Sequence, residues 1–594
     1  MSAKNKILKK ILKWKYKHIS NQQFTNISSA VIGLLAGLGA VTLKNFTHFI
    51  QHLLEEDFIK EIHTAFYFIF PILGLFIVLL IVKYIIKKKV GHGIPSTLYA
   101  ISKQKGMMPK HQMWASIFTA PLTVGFGGSV GLEGPTVATG AALGSNFARL
   151  FRLNQTTKTL LIGAAAAGAM SSIFKAPIAA IVFAVEIFSL ELTLASMVPL
   201  LLASITAILT SYFFLGDDVL LHFDLKDKFL LIDVPFYILL GVFSATISVY
   251  FSKIYFLIAD LFKKTKNVYK RLLVGGILLG ILVYIVPPLF GEGYETINNI
   301  LRGNVTPIIN TNIFNFVADN ILTVIVFLIG LILLKIVAAS LTFGAGGIGG
   351  IFAPTLFTGS ITGYVFATFI NYTNLFTHKL LVVNYAMVGM AGLMAGVLLA
   401  PLTAIFLIAE ITGGYELFVP LMIVASISFI ITKRYIPHNI YAAQLAKRGE
   451  LITHNKDKNV LMLMQIEDLI ETNFKSILLE MNLGELLTNN VAKSSRNIYP
   501  VVDEENHFLG IVLLDDIRSM MFNRELYEKI KVADIMKSAP EVIFSEDKLE
   551  VVMQKFKQSN AWNLPVVNNS KYVGFISKSK LLTAYRNKLI EVTS

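Results

Sequence analysis

The chain divides by its hydrophobic pattern. Ala65 to Val82, Pro235 to Phe251, Leu272 to Phe290 and Ile321 to Leu334 carry no charge. A membrane-crossing helix needs about 20 apolar residues, so these stretches predict transmembrane helices. Leu160 to Ala169 and Ala176 to Val185 are shorter. They predict half-helices that stop inside the bilayer, where broken backbone is tolerated only against protein or a cavity. After Lys447-Arg448-Gly449-Glu450 charges become frequent and apolar runs short. There Asn497 to Val502 and Asn563 to Val567 each precede a second short run, Leu509 to Val512 and Val573 to Ile576, across a polar turn. Each pair predicts two strands, followed by a helix at Asp515 to Met521 and at Lys578 to Tyr585. The expected fold is an α-helical multi-pass membrane protein with inverted internal repeats over 26–450, then a cytosolic α/β pair over 451–594. The pair divides at roughly 466–525 and 530–590.

Composition agrees: 54% of the 594 residues are hydrophobic. The net charge of +15 sits in clusters at Lys4 to Lys17, Lys83 to Lys89, Lys263 to Arg271 and Lys433-Arg434. In a membrane protein such clusters mark the cytoplasmic side, which puts both termini in the cytosol of a cell-membrane protein. No soluble basic domain with interleaved aromatics is present, so nucleic acid is not an expected partner. Residues 1–25 read as a basic amphipathic helix, a cytosolic cap or a lipid-surface element, and not as a secretory signal. The chain has no cysteine. Disulfides, zinc thiolates and cysteine catalysis are excluded, and no metal site is expected.

One pattern is written twice. Gly131-Leu132-Glu133-Gly134-Pro135-Thr136 returns 219 residues later as Gly350-Ile351-Phe352-Ala353-Pro354-Thr355, with Gly140 and Gly144 matched by Gly359 and Gly363. Ala176-Pro177 and Ala400-Pro401 each precede a glutamate, Glu186 and Glu410, by nine residues from the proline. Paired Gly/Pro-broken segments in two halves point to a substrate site between them. A Gly-rich loop entering a helix N-terminus suits an anion, because free N–H groups and the positive dipole end meet there. Gly91-His92-Gly93-Ile94-Pro95 is a third such loop. Glu133 stands in the first copy where the second has Phe352. Intramembrane carboxylates are functional by default. The paired symmetry of Glu186 and Glu410 suggests an architectural role, capping or bonding to a neighbouring loop, with a place on a proton path as the alternative.

Gly-x-Gly-Ile-Pro, Gly-x-Glu-Gly-Pro and Gly-Ile-Phe-x-Pro, in this order, resemble the signature loops of the CLC family of chloride channels and chloride/proton antiporters. Gly291-Glu292-Gly293-Tyr294 and Asn439-Ile440-Tyr441 resemble further family elements, and the C-terminal repeats resemble a tandem pair of CBS domains. The resemblance implies a homodimer in the lipid bilayer with one chloride pathway per subunit. It implies that Glu133 is the gating glutamate and proton acceptor. It also implies that the anion is held by the first loop (His92, Gly93), by the Ile351 and Phe352 amides and by the Tyr441 hydroxyl.

The chain departs from the family at three positions. His92 stands where many members carry serine, and it leaves the choice of anion open. Ile187 stands where antiporters place an internal proton-transfer glutamate, and Glu186 lies one residue away. This tilts the expectation toward passive or loosely coupled transport, with chloride/proton antiport as the alternative. Leu132 replaces a basic residue that often precedes the gating glutamate. In the CBS pair, Asp516 and Ser577 each keep half of an adenine-nucleotide pattern. Transport requires no cofactor, and a nucleotide at the pair is the one ligand the pattern raises. A CBS-regulated divalent-cation channel and a non-transporting signalling protein are the remote alternatives. An enzyme is not expected, since no nucleophile–base or metal-ligand cluster stands out.

Overall fold

The computed structural model describes residues 17–55, 63–88, 90–91, 93–191, 193–216, 221, 229–309, 320–412, 415–443, 461 and 464–593. It separates into two units, Met1–Leu451 and Ile452–Ser594.

The first unit is helical. In chain order its main helices are α1 Asn21–Glu55, α2 His63–Leu80, α3 Ile94–Lys103, α4 Ala115–Gly125, α5 Glu133–Leu150, α6 Gln155–Phe174, α7 Pro177–Phe188 and α8 Leu194–Leu215. They continue as α9 Val234–Lys264, α10 Val268–Ile285, α11 Tyr294–Leu301, α12 Ile321–Ala345, α13 Phe352–Thr373, α14 Val382–Leu398, α15 Pro401–Ile411 and α16 Phe418–Tyr435. Among the described residues, nine helical spans are long and apolar enough to cross a membrane. α4, α7, α14 and α15 are shorter apolar helices.

Two sequence expectations change here. Leu160 to Ala169 is not a half-helix but the middle of the 20-residue α6, which a capping Asn154 side chain opens and Lys175 closes in the left-handed conformation. The small residues after Leu161 are buried, so this segment reads as short by composition although it is long in structure. The stretch from Leu272 stops at Ile285, before Pro287-Pro288, because a proline lacks the N–H that a continuing helix needs. The N-terminal pattern falls mostly on residues outside those described. α1 itself starts on a capping box, in which Ser20 and Gln23 exchange side-chain bonds to each other's amides at 3.0 and 3.2 Å.

The repeats show as structure. Leu132 precedes α5 with φ −85° and ψ −14°, and Ile351 precedes α13 with φ −89° and ψ 0°. In each, a threonine hydroxyl turns back to that residue's carbonyl: Thr136 to Leu132 at 2.9 Å and Thr355 to Ile351 at 2.7 Å. The recurring glycines let the next helix pass close. A Cβ would come within 2.6 Å of the Ala165 carbonyl oxygen at Gly140, and within 2.6 Å of the Met390 Cα at Gly359.

The second unit holds two equivalent three-stranded sheets. β1 Ile477–Leu478 pairs parallel with β2 Ile498–Val502, and β2 pairs antiparallel with β3 Phe508–Leu513. β4 Ile543–Phe544, β5 Asn563–Asn568 and β6 Lys571–Ser577 repeat that order. Pro500 and Pro565 lie in the middle strands, one residue before the two-residue β1 and β4 begin to pair. A proline is tolerated there because no ladder bond is lost on that side. The helix after β3 is only Leu514–Ile517, shorter than expected, whereas the helix after β6 runs Lys578–Thr593.

Candidate anion site

The two copies of the repeated loop meet each other. Gly131 N–H donates to the Gly350 carbonyl at 2.8 Å, and Gly350 N–H donates to the Gly131 carbonyl at 2.7 Å. The starts of α5 and α13 are thereby fixed side by side. The contact is backbone on backbone: a Cβ on Gly350 would lie 2.9 Å from the Gly134 nitrogen. The third loop joins them. Gly93, at φ +71°, opens α3, and a Cβ there would stand 2.7 Å from the Gly134 carbonyl carbon and oxygen. Three helix N-termini therefore converge at Gly134. The first N–H groups of a helix have no partner within it, so the junction is rich in donors.

Glu133 is the first residue of α5 and is buried. Its Oε1 accepts the Tyr294 hydroxyl at 2.5 Å. Its Oε2 is buried against the first loop, where a Cβ on Gly131 would stand 2.0 Å from it. The backbone amide of Ala353, in the first turn of α13, acts on the same carboxylate. The glutamate of one repeat thus faces the helix start of the other.

Ile351 and Phe352 are buried at that start. The Phe352 ring packs on Phe174 at 5.2 Å and on Phe183 at 6.4 Å between centroids. Tyr441 is buried, its hydroxyl has no partner among the described residues, and it feels the charge of Glu133. His92 lies outside the described residues. Gly93, Glu133, Ile351, Phe352 and Tyr441 all belong to this region.

Glu186 and Glu410 lie elsewhere, and they are reciprocal. Glu186 accepts the amides of Leu402 and Thr403 at 3.3 and 2.8 Å and the Thr403 hydroxyl at 2.6 Å. Glu410 accepts the amides of Ile178 and Ala179 at 3.0 and 2.7 Å. Each glutamate, near the end of its own Ala-Pro helix, closes the N-terminus of the other. A carboxylate there satisfies orphan donors and complements the helix dipole. Ile187 is buried beside Glu186.

Two charged residues went unassigned in the sequence. Lys335 is fully buried on α12 and donates to the Gly291 carbonyl at 2.9 Å, with its ammonium 4.6 Å from the Phe357 ring centre. Glu292, in the loop that Lys335 holds, accepts the Leu132 amide at 2.9 Å. A signal was present: Lys335 is the single charge in Ile321–Ala345, and a charge inside an apolar span marks a site.

In the second unit, Asp516 is paired with Lys537 at 2.7 Å, and Ser577 donates to Glu471 at 2.5 Å. Glu471 and Lys537 hold matching places. Glu471, near the start of the first repeat, bonds to Phe575 of β6 through both backbone groups, and Lys537, near the start of the second, does the same with Ile511 of β3. Burial alone raises the Glu471 carboxyl, but the Ser577 hydroxyl and the Arg496 guanidinium outweigh it and hold the group below the usual carboxylate range.

The family described as voltage gated chloride channel matches residues 73–433, and the CBS domain matches residues 466–523 and 532–587. An H(+)/Cl(-) exchange transporter ClcA of Vibrio cholerae serotype O1 (strain M66-2) is 28% identical over 411 residues, covering 66% of this chain and 83% of that protein. A putative chloride channel protein ClcB-like of Ralstonia nicotianae is 28% identical over 372 residues, covering 60% and 80%. Among solved structures, a slow cyanobacterial Cl-/H+ antiporter superposes with TM-score 0.60 at 21% identity, over 72% of this chain and 98% of that one. A eukaryotic CLC transporter superposes with TM-score 0.60 at 16% identity, over 94% and 97%. These two likenesses establish the shared fold. With its family match spanning the helical repeats and their paired loops, the chain belongs to the voltage gated chloride channel family, with two CBS domains following the membrane unit.

Proposed function

We propose that the protein carries chloride across the cell membrane as a homodimer, with one pathway per subunit gated by Glu133. The observation that carries this reading is the convergence of three helix starts at Gly134 beside the buried Glu133 carboxylate. Three helix starts supply donors there, and a donor-lined, water-poor place binds an anion. The ionised Glu133 side chain is such an anion and competes with chloride for it. Protonation removes the charge, the side chain leaves, and chloride takes the donors of Ile351, Phe352, Gly93 and Tyr441. The basic ends of α9 (Lys263, Lys264) and α16 (Lys433, Arg434) support cytosolic termini.

Proton coupling in this reading is loose. Ile187 cannot hold a proton, and the Glu186 carboxylate is occupied by three donors of the α15 start. The second reading is tight chloride/proton exchange, favoured by the exchange transporters among the relatives. No cofactor takes part. An adenine nucleotide at the CBS pair would have to displace Lys537 from Asp516 and Glu471 from Ser577.

The test is reconstitution of the full chain in liposomes with chloride and proton flux recorded together. Chloride flux with weak proton movement is expected, and Glu133→Gln ends the proton component while chloride still passes. Uphill proton transport at a fixed ratio establishes exchange instead. Absence of chloride flux overturns the reading.

A further inference from the structure

Glu133 is not alone at the junction. Glu292 binds the amide of Leu132, the residue immediately before it. The two carboxylates therefore flank one helix start and act on each other through space. Lys335, fully buried on α12, anchors the Gly291 carbonyl beside Glu292 and acts on Glu292. The remaining groups around the pair are few. Tyr294 on α11 donates to Glu133 and feels both carboxylates, Lys44 on α1 acts on Glu292, and Tyr441 faces Glu133 with Tyr255 beside it. Lys44 is partly exposed, whereas Lys335 is fully buried.

Two carboxylates thus share their surroundings with one fully buried ammonium, Lys335, and with Lys44. Like charges at this range do not ionise independently, and their titration belongs to the pair. Glu292 is also the more accessible of the two, since it is partly exposed while Glu133 is buried.

We propose that Glu292 is a positioning and charge-setting partner of the gate: held by the Leu132 amide in the loop that Lys335 anchors, it fixes the pH at which Glu133 is released. This rests on the reading of Glu133 as the gate. A proton arriving from water neutralises one carboxylate of the pair and lifts the repulsion on the other, and the proton returns to water when the gate closes.

The experiment is chloride flux against pH in liposomes holding the full chain, for the native protein, Glu292→Gln, Lys335→Met and Glu133→Gln. Glutamine keeps an oxygen for the Leu132 amide and removes only the charge, so a purely structural role leaves the midpoint in place. With the neighbouring negative charge gone, half-maximal flux is expected to move to more acid pH by about one unit, tenfold in proton concentration. Lys335→Met is expected to move it the opposite way, and Glu133→Gln to flatten the profile. An unmoved midpoint in Glu292→Gln beside a flat profile in Glu133→Gln overturns the proposal and leaves the gate reading standing. A profile unchanged in Glu133→Gln overturns both.

Discussion

Gly131 and Gly350 hold each other through both backbone groups, at 2.8 and 2.7 Å, and so lock the two repeats at the place where their helices begin. The close approach leaves no room for side chains. In Gly350→Ala the new Cβ would stand 2.9 Å from the Gly134 nitrogen. Overpacking of this kind costs about 1–3 kcal/mol. A lower melting temperature in detergent and reduced chloride flux are expected. Native values for both would show that the loops tolerate separation.

Tyr441→Phe removes a hydroxyl that has no partner among the described residues, so no protein bond is broken. A neutral hydrogen bond contributes about 0.5–1.5 kcal/mol, roughly a two- to tenfold change in affinity. Titration calorimetry on the detergent-solubilised protein should show chloride binding weakened to that extent with the fold intact. Equal affinity would remove Tyr441 from the anion site.

Glu186→Ala and Glu410→Ala each open a helix start. Bonds to a charged group contribute about 1.5–3 kcal/mol, so both variants should lose stability by similar amounts. The ratio of protons to chloride should not move with Glu186→Ala. A changed ratio in the flux assay would make Glu186 part of a proton route.

Acid should loosen the second unit through Glu471. A carboxyl whose folded value lies below its unfolded one stabilises the fold above the unfolded value, and that contribution is lost as pH falls through the folded value. Protection of the Glu471 and Phe575 amides in hydrogen exchange, corrected for intrinsic rates, is expected to fall as pH drops below about 4.3. Glu471→Gln should remove that acid-sensitive part. An identical pH profile in the variant would show that Ser577 and Arg496 do not act through this charge.

Much of the site was legible because it is written in backbone. Gly, Pro and their spacing dictate where helices start, so the places of Gly93, Glu133, Ile351 and Phe352 at the helix starts could be read from the motifs. The reciprocal caps were half visible: nine residues from Pro177 to Glu186 and from Pro401 to Glu410 suggested caps, but which helix each closes depends on how the repeats invert. Lys335 was missed because its stretch reads as uniformly apolar around one charge. The pairings of Asp516 with Lys537 and of Ser577 with Glu471 cross from one CBS repeat to the other, and periodicity within a repeat does not reveal such an exchange. α6 was misjudged because alanine and glycine score as weakly apolar, although they are the residues that allow tight burial.

Because Glu186 closes the helix that bears Glu410, and Glu410 the helix that bears Glu186, neither half of the membrane unit contains what it needs to close the start of its own Ala-Pro helix. A polypeptide carrying one half alone would meet that need only by finding a second copy upside down beside it. The fused chain supplies the inverted copy at birth, and any change to one half is from then on answerable to the other.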